Sequence, residues 1–161
     1  MRNYTYYITK IIIALVVTTL YGNWTVAPMS LSYYLEQNTT GTEALWIKNP
    51  TDDTLSVKIS LQDYVKVNGQ DQMKPPRTTD RSCAGWLFIH PEEVEILPYQ
   101  NKDIRIDMTV PKDAYGDYWS MLFVEQISKP QSNNAKYGKM SLDIKTKFRW
   151  GARIKQHVPG S

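Results

Sequence analysis

Apolar and polar residues alternate along residues 103–110, where Ile104, Ile106, Met108 and Val110 interleave with Asp103, Arg105, Asp107 and Thr109. A period of two sends one set to a buried face and the other to water, as in an antiparallel sheet with one wet side. Pro111 has no N–H to give a ladder and ends the strand. Gly116 then supplies the freedom for a tight turn, and Tyr118 opens the next apolar run. A tyrosine at such a corner buries its ring and returns its hydroxyl to nearby backbone. The same alternation recurs where Leu55, Val57, Ile59 and Leu61 are spaced by Ser56, Lys58, Ser60 and Gln62.

Most of the remaining chain also reads as strand. Residues 25–36 are β-rich, with Pro28 as a break at which the first strand switches sheets or sits on an edge. Residues 38–41 read as a turn and residues 43–49 as a short strand, closed by the Asn-Pro and Asp-Asp turn chemistry of residues 49–53. Residues 68–80 are the most loop-like stretch, with Asn68-Gly69 as a hairpin signal. Residues 86–90 form another strand, continued by residues 93–97. Residues 119–126, apolar on both faces, suit a central strand. Residues 129–137 read as a polar loop and residues 140–155 as the last strand. Seven strands at turn spacing, with no amphipathic helix and no internal repeat, predict an all-β immunoglobulin-like sandwich.

The first 22 residues stand apart. Arg2 and Lys10 precede an uncharged run over residues 11–20, the n-region and h-region of a secretory signal and a short span for a permanent helix. Tyr21-Gly22-Asn23 is the candidate cleavage point, and an uncleaved N-terminal anchor is the alternative. Residues 1–22 are therefore expected to be a signal, residues 24–158 a single domain, and the protein exported. The net charge of +3 across 161 residues falls to +1 once Arg2 and Lys10 leave, so nothing in the balance calls for nucleic acid. Cys83 is the sole cysteine. It has no partner for an internal disulfide, does not follow the h-region as a lipidated residue would, and reads as a small buried apolar residue.

Three motifs, in order, carry a resemblance. Asn49, Pro50 and Thr51 lead to Leu55 and Val57; Arg81 and Ser82 lead to Trp86; Pro111, Asp113 and Ala114 lead to Gly116 and Tyr118. Across residues 25–160 the chain resembles the N-terminal immunoglobulin-like domain of the PapD-like superfamily, the periplasmic pilus-assembly chaperones and their relatives. It is closer to an outlying branch that includes the sandwich domain of WxL-associated surface proteins. The resemblance implies a non-enzymatic envelope chaperone in pilus or surface-protein assembly, binding its clients by strand addition along the last strand. The chaperones carry a second immunoglobulin-like domain, whereas this sequence stops near where a linker would begin, so the expectation is either a natural single-domain form or a shortened reading frame. Their two-cation grip on a client carboxylate maps to Arg149 on the last strand and to Ser30, which has no charge, on the first.

On the last strand Leu142, Ile144, Phe148, Trp150, Ala152 and Ile154 share one face, and Lys145, Lys147, Arg149, Arg153 and Lys155 share the other. Two readings of this basic row stand side by side. Lysines on an exposed edge discourage aggregation; alternatively, the row meets an anionic partner such as a carboxylate terminus, a cell-wall polymer or lipid head groups. The apolar set is the expected client-binding face.

Catalytic chemistry is sparse. His90 lies beside Pro91, Glu92 and Glu93, too few ligands for a tetrahedral metal site, and His157 has no carboxylate near it in sequence. No nucleophile elbow, zinc-binding HExxH or phosphate loop occurs. The Asp52-Asp53 and Glu92-Glu93 pairs suit turns. Five tryptophans and eleven tyrosines offer stacking surfaces for sugars, although the core is expected to claim most of them. No enzyme, cofactor or metal is expected. The alternative to a chaperone is a structural or ligand-binding surface module on wall or matrix material.

Overall fold

The computed structural model describes residues 24–127 and 148–160, together with the backbone of residues 135–137 and 140–142. Its strands are β1 (Thr25–Ala27), β2 (Ser30–Tyr33), β3 (Thr40–Lys48), β4 (Leu55–Val67), β5 (Gln70–Lys74), β6 (Leu87–His90), β7 (Glu93–Ile96), β8 (Asn101–Thr109), β9 (Gly116–Gln126), β10 (Ala135–Tyr137), β11 (Met140–Leu142) and β12 (Arg149–Val158). One sheet has the order β1-β3-β8-β6; the other runs β2-β12-β9-β4-β5, with β7 also on β4. The expected signal segment, residues 1–22, lies outside the described residues.

The two inner faces meet in one core. From the four-stranded sheet come Val26, Leu45, Ile47, Ile89, Ile104, Ile106 and Met108; from the other come Leu31, Tyr33, Val57, Ile59, Leu122, Val124, Ala152 and Ile154. The alternation of residues 103–110 therefore has the phase the sequence predicts. Strand β9 lies between β12 and β4, the central place its apolar faces suggest.

Two of the changes of sheet, from β1 to β2 and from β6 to β7, occur at prolines. Before Pro28, β1 pairs with β3; after it, β2 pairs with β12. Before Pro91, β6 pairs with β8; after it, β7 pairs with β4. A proline has no donor for a ladder, so pairing stops there and the chain is free to cross. The expectation that residues 93–97 continue the preceding strand is thus corrected: the two segments belong to opposite sheets. The loop-like residues 68–80 are corrected in part, because β5 folds back on β4 through Asn68 and Gly69, at φ 51° and 80°, a turn whose twist suits a hairpin. Its polar sequence reflects an edge position.

The last strand is shorter than expected at its start. Met140–Leu142 pairs antiparallel with Ala135–Tyr137, so part of the expected polar loop is strand. The strand against β9 begins at Arg149 and reaches Val158.

The motifs are structural joints. Asn49 is 1% exposed; its Nδ2 donates to the carbonyls of Asp53, Ile96 and Leu97, while its Oδ1 accepts from the N–H and hydroxyl of Thr51. Pro50 follows it into the turn, and this one side chain ties the β3–β4 turn to the end of β7. Trp86 packs on Tyr118 with ring centroids 4.3 Å apart, and the Arg81 guanidinium lies 5.3 Å from the Tyr118 ring. Pro111 follows β8, and Gly116, at φ 80°, opens β9. The hydroxyl that returns to backbone belongs to Tyr33, not Tyr118, and donates to the Ile106 carbonyl at 2.8 Å. Burial, then the nearby Glu43 and Asp107 charges, raises the Tyr33 pKa. Burial likewise pushes the Cys83 thiol up to about 11, against a hydrogen bond with Ser120.

Candidate functional site

Strand β12 alternates along its length: Trp150, Ala152, Ile154, Gln156 and Val158 turn inward, and Arg149, Arg153, Lys155 and His157 turn outward. Its backbone neighbours change midway. Arg153–Gln156 is flanked by β9 on one side and, in parallel, by Ser30–Tyr33 of β2 on the other. Arg149–Ala152 has β9 alone as a partner among the described residues. The Arg153 N–H donates to the Met29 carbonyl and the Phe148 carbonyl accepts from Gln126 of β9. By alternation, Arg149 and Gly151 therefore aim their N–H and C=O groups at the open side. Among the described residues, the last strand is an edge over its first half only.

Of the expected partner-binding residues, Ile144, Lys145 and Lys147 lie outside the described residues, as does the Leu142 side chain. Phe148 is 43% exposed just ahead of β12. Trp150 is half-buried, edge-on to Trp24 with centroids 6.1 Å apart. Arg149 lays its guanidinium 3.4 Å from the Phe123 ring centroid, over a strand kept bare by Gly151, where a Cβ would come within 3.0 Å of that ring. Arg153 is held by Asp71 at 2.7 Å. Burial raises the Asp71 pKa, but hydrogen bonds from Arg153 and Lys66 outweigh it and hold the carboxyl below its ordinary value. Arg149, Arg153 and Lys155 share a face as expected, yet they are not equivalent: Lys155 has no acidic partner among the described residues.

The positions mapped to a two-cation clamp are not neighbours. Ser30 stands opposite Arg153, four residues from Arg149, which is roughly 13 Å along a strand. The cations beside the first strand are Arg153 and Lys155.

Sequence reading also missed two sites. Asp63 is fully buried, where its carboxylate accepts from the N–H groups of Thr78 and Thr79 and from the hydroxyls of Ser82 and Ser120. Its one visible signal was an acid at the position that continues the apolar alternation of Leu55, Val57, Ile59 and Leu61. The second is a cavity of about 290 Å³ on the outer face of the larger sheet, lined among others by Ser32, Tyr34, Tyr64, Trp119, Lys155 and His157. His157 does have a carboxylate beside it, Asp117 at 2.7 Å, directly across the β12–β9 ladder. Tyr34 is 78% exposed, so the core does not claim every aromatic. Among the described residues no three His, Cys, Asp or Glu side chains converge on a metal position, and no helix is long and apolar enough to cross a membrane.

The architecture is that of an immunoglobulin-like sandwich with a first strand shared between sheets. More narrowly, it is the PapD-like fold. A chain of the chaperone–tip adhesin complex of CFA/I fimbriae superposes with a TM-score of 0.61 at 14% identity, over 86% of this chain and 57% of that one. The periplasmic chaperone SfaE gives 0.54 at 10% identity, over 86% and 59%. A human domain, the ASH/PapD-like domain 7 of CEP192, gives 0.57 at 12% identity, over 86% of each chain. The chain thus spans a little over half the length of the first two of these chains. No protein-family model and no curated protein sequence matches it.

Proposed function

We propose that this protein is an exported, non-enzymatic chaperone-like domain that holds β-rich clients of a bacterial envelope, such as pilus-type subunits, by strand addition along β12. The observation that carries this reading is the half-open strand. Arg149 and Gly151 present backbone groups toward a side that has no partner among the described residues, and a client strand laid there gains ladder hydrogen bonds with register set by alternate side chains. Phe148 and Trp150 lie beside that edge and offer apolar contact. Fimbrial chaperones of the same fold support the reading, while the human PapD-like domain shows why fold alone does not carry it. Residues 1–22 fit a leader that delivers the domain to the periplasm or envelope.

The test is to block the edge without unfolding the sandwich. Proline is tolerated on an edge strand where its missing N–H faces solvent, so Arg149→Pro and Gly151→Pro are assayed for suppressing aggregation of a pilin-type subunit that lacks its own last strand. Loss of suppression in variants that retain cooperative unfolding supports strand addition. Folded variants that suppress aggregation as well as wild type overturn it.

A further inference from the structure

The cavity lies on the outer face of the six-stranded sheet, away from the open half of β12. Strands β2 and β12 already pair with each other there, so a peptide arriving at Lys155 meets no free ladder on β12. What the surface does present is side chains. Tyr34 and His157 stand on one flank with ring centroids 6.3 Å apart; Tyr64 and Trp119 stand on the other, 6.4 Å apart. Lys155 lies between the flanks, opposite Trp119 on β9 and Ser32 on β2. The Trp119 Nε1 donates to the Tyr64 carbonyl at 3.0 Å, which fixes that wall.

The polar groups around this trough are of mixed kind. Ser32 supplies a hydroxyl, and the His157–Asp117 pair supplies a ring nitrogen and carboxylate oxygens at one end. Aromatic rings with donors, acceptors and a cation that has no acidic partner among the described residues form a set that suits a pyranose ring bearing a carboxylate. Sugar C–H groups meet the electron-rich faces of the rings, the hydroxyls use the mixed donors and acceptors, and the carboxylate meets the lysine in a charge-assisted hydrogen bond. The volume lies near the small end of ligand pockets, about 300 Å³, room for one sugar unit with its neighbours continuing over the sheet.

We propose that this trough binds an acidic saccharide, with Tyr34 and Trp119 as stacking walls and Lys155 as the anchor for a uronate-type carboxylate. The site is separate from the open edge of β12, so its fate does not depend on strand addition. The experiment is calorimetric titration of the whole protein with oligogalacturonate, oligoglucuronate and sialyl-lactose, alongside neutral oligosaccharides of equal length and a peptide with a free C-terminal carboxylate. Saturable binding of at least one acidic sugar is expected, with neutral sugars weaker by about tenfold, the scale of one charge-assisted hydrogen bond. Lys155→Gln should abolish that preference, and Tyr34→Ala, at an exposed position that leaves the core intact, should weaken every sugar. Amide shifts in the NMR spectrum should cluster on Ser32, Lys155 and His157. No saturable binding of any acidic sugar, equal binding of neutral ones, or binding of the peptide in their place overturns the proposal.

Discussion

The two halves of β12 share one alternating sequence pattern and present different surfaces. From Arg153 to Gln156 the backbone is used on both sides, by β9 and by β2, so anything that recognises this half must do so through Lys155, His157 and the rings around them. From Arg149 to Ala152 one side of the backbone has no partner among the described residues, and recognition through the ladder is open. The crossing of the first strand at Pro28 sets where one half ends and the other begins. A strand's capacity to bind is therefore a property of its neighbours, not of its residues alone.

The largest expected effect comes from the enclosed half. Ile154 is fully buried, and Ile154→Ala should lower unfolding free energy by about 2–5 kcal/mol, read from urea denaturation. Phe148→Ala, at the exposed start of the open half, should cost less than about 1 kcal/mol. Equal costs would erase the distinction between the halves. Hydrogen exchange gives a finer reading. The Arg149 and Gly151 amides, aimed at the open side, should exchange at least about tenfold faster than those of Ala152 and Arg153, which face paired strands. Slow exchange at Gly151 would mean that the edge is covered.

Smaller effects probe the outer face. Gly151→Ala places a Cβ against the Phe123 ring edge, and the ring must shift, so a loss of about 1 kcal/mol is expected in the same denaturation assay. An unchanged midpoint would show that the Arg149–Phe123 stack has slack. The least effect is acid dependence. The Asp71 pKa is lower in the folded state than its ordinary value of about 3.9. Its contribution is thus fully present above that value and lost as pH falls through the lower folded-state pKa. Asp71→Asn should flatten the stability–pH curve slightly in that acid window, and an unaltered curve would show that the exposed Arg153 pair contributes nothing measurable.

Much of the fold was legible because strand patterning is local. The alternation at residues 55–61 and 103–110, the hairpin turn at Asn68-Gly69 and the sheet switch at Pro28 follow from side-chain period and backbone chemistry, and each appears where it was expected. The basic row on the last strand was legible as a row. Its division of labour was not, since Asp71, which occupies Arg153, is 82 residues away. The same blindness hid Asp117 from His157 and made Tyr118, rather than Tyr33, the expected hydroxyl donor.

The sequence by itself thus determined the class of fold, the core-facing phase of the principal strands and the burial of Cys83, because each depends on hydrophobicity at a short, fixed period. Only the tertiary structure decided which half of β12 is enclosed, which cations have no acid beside them among the described residues and which aromatics line a cavity. Those properties depend on cross-strand neighbours brought together from distant parts of the chain, and no period in the sequence encodes such a pairing.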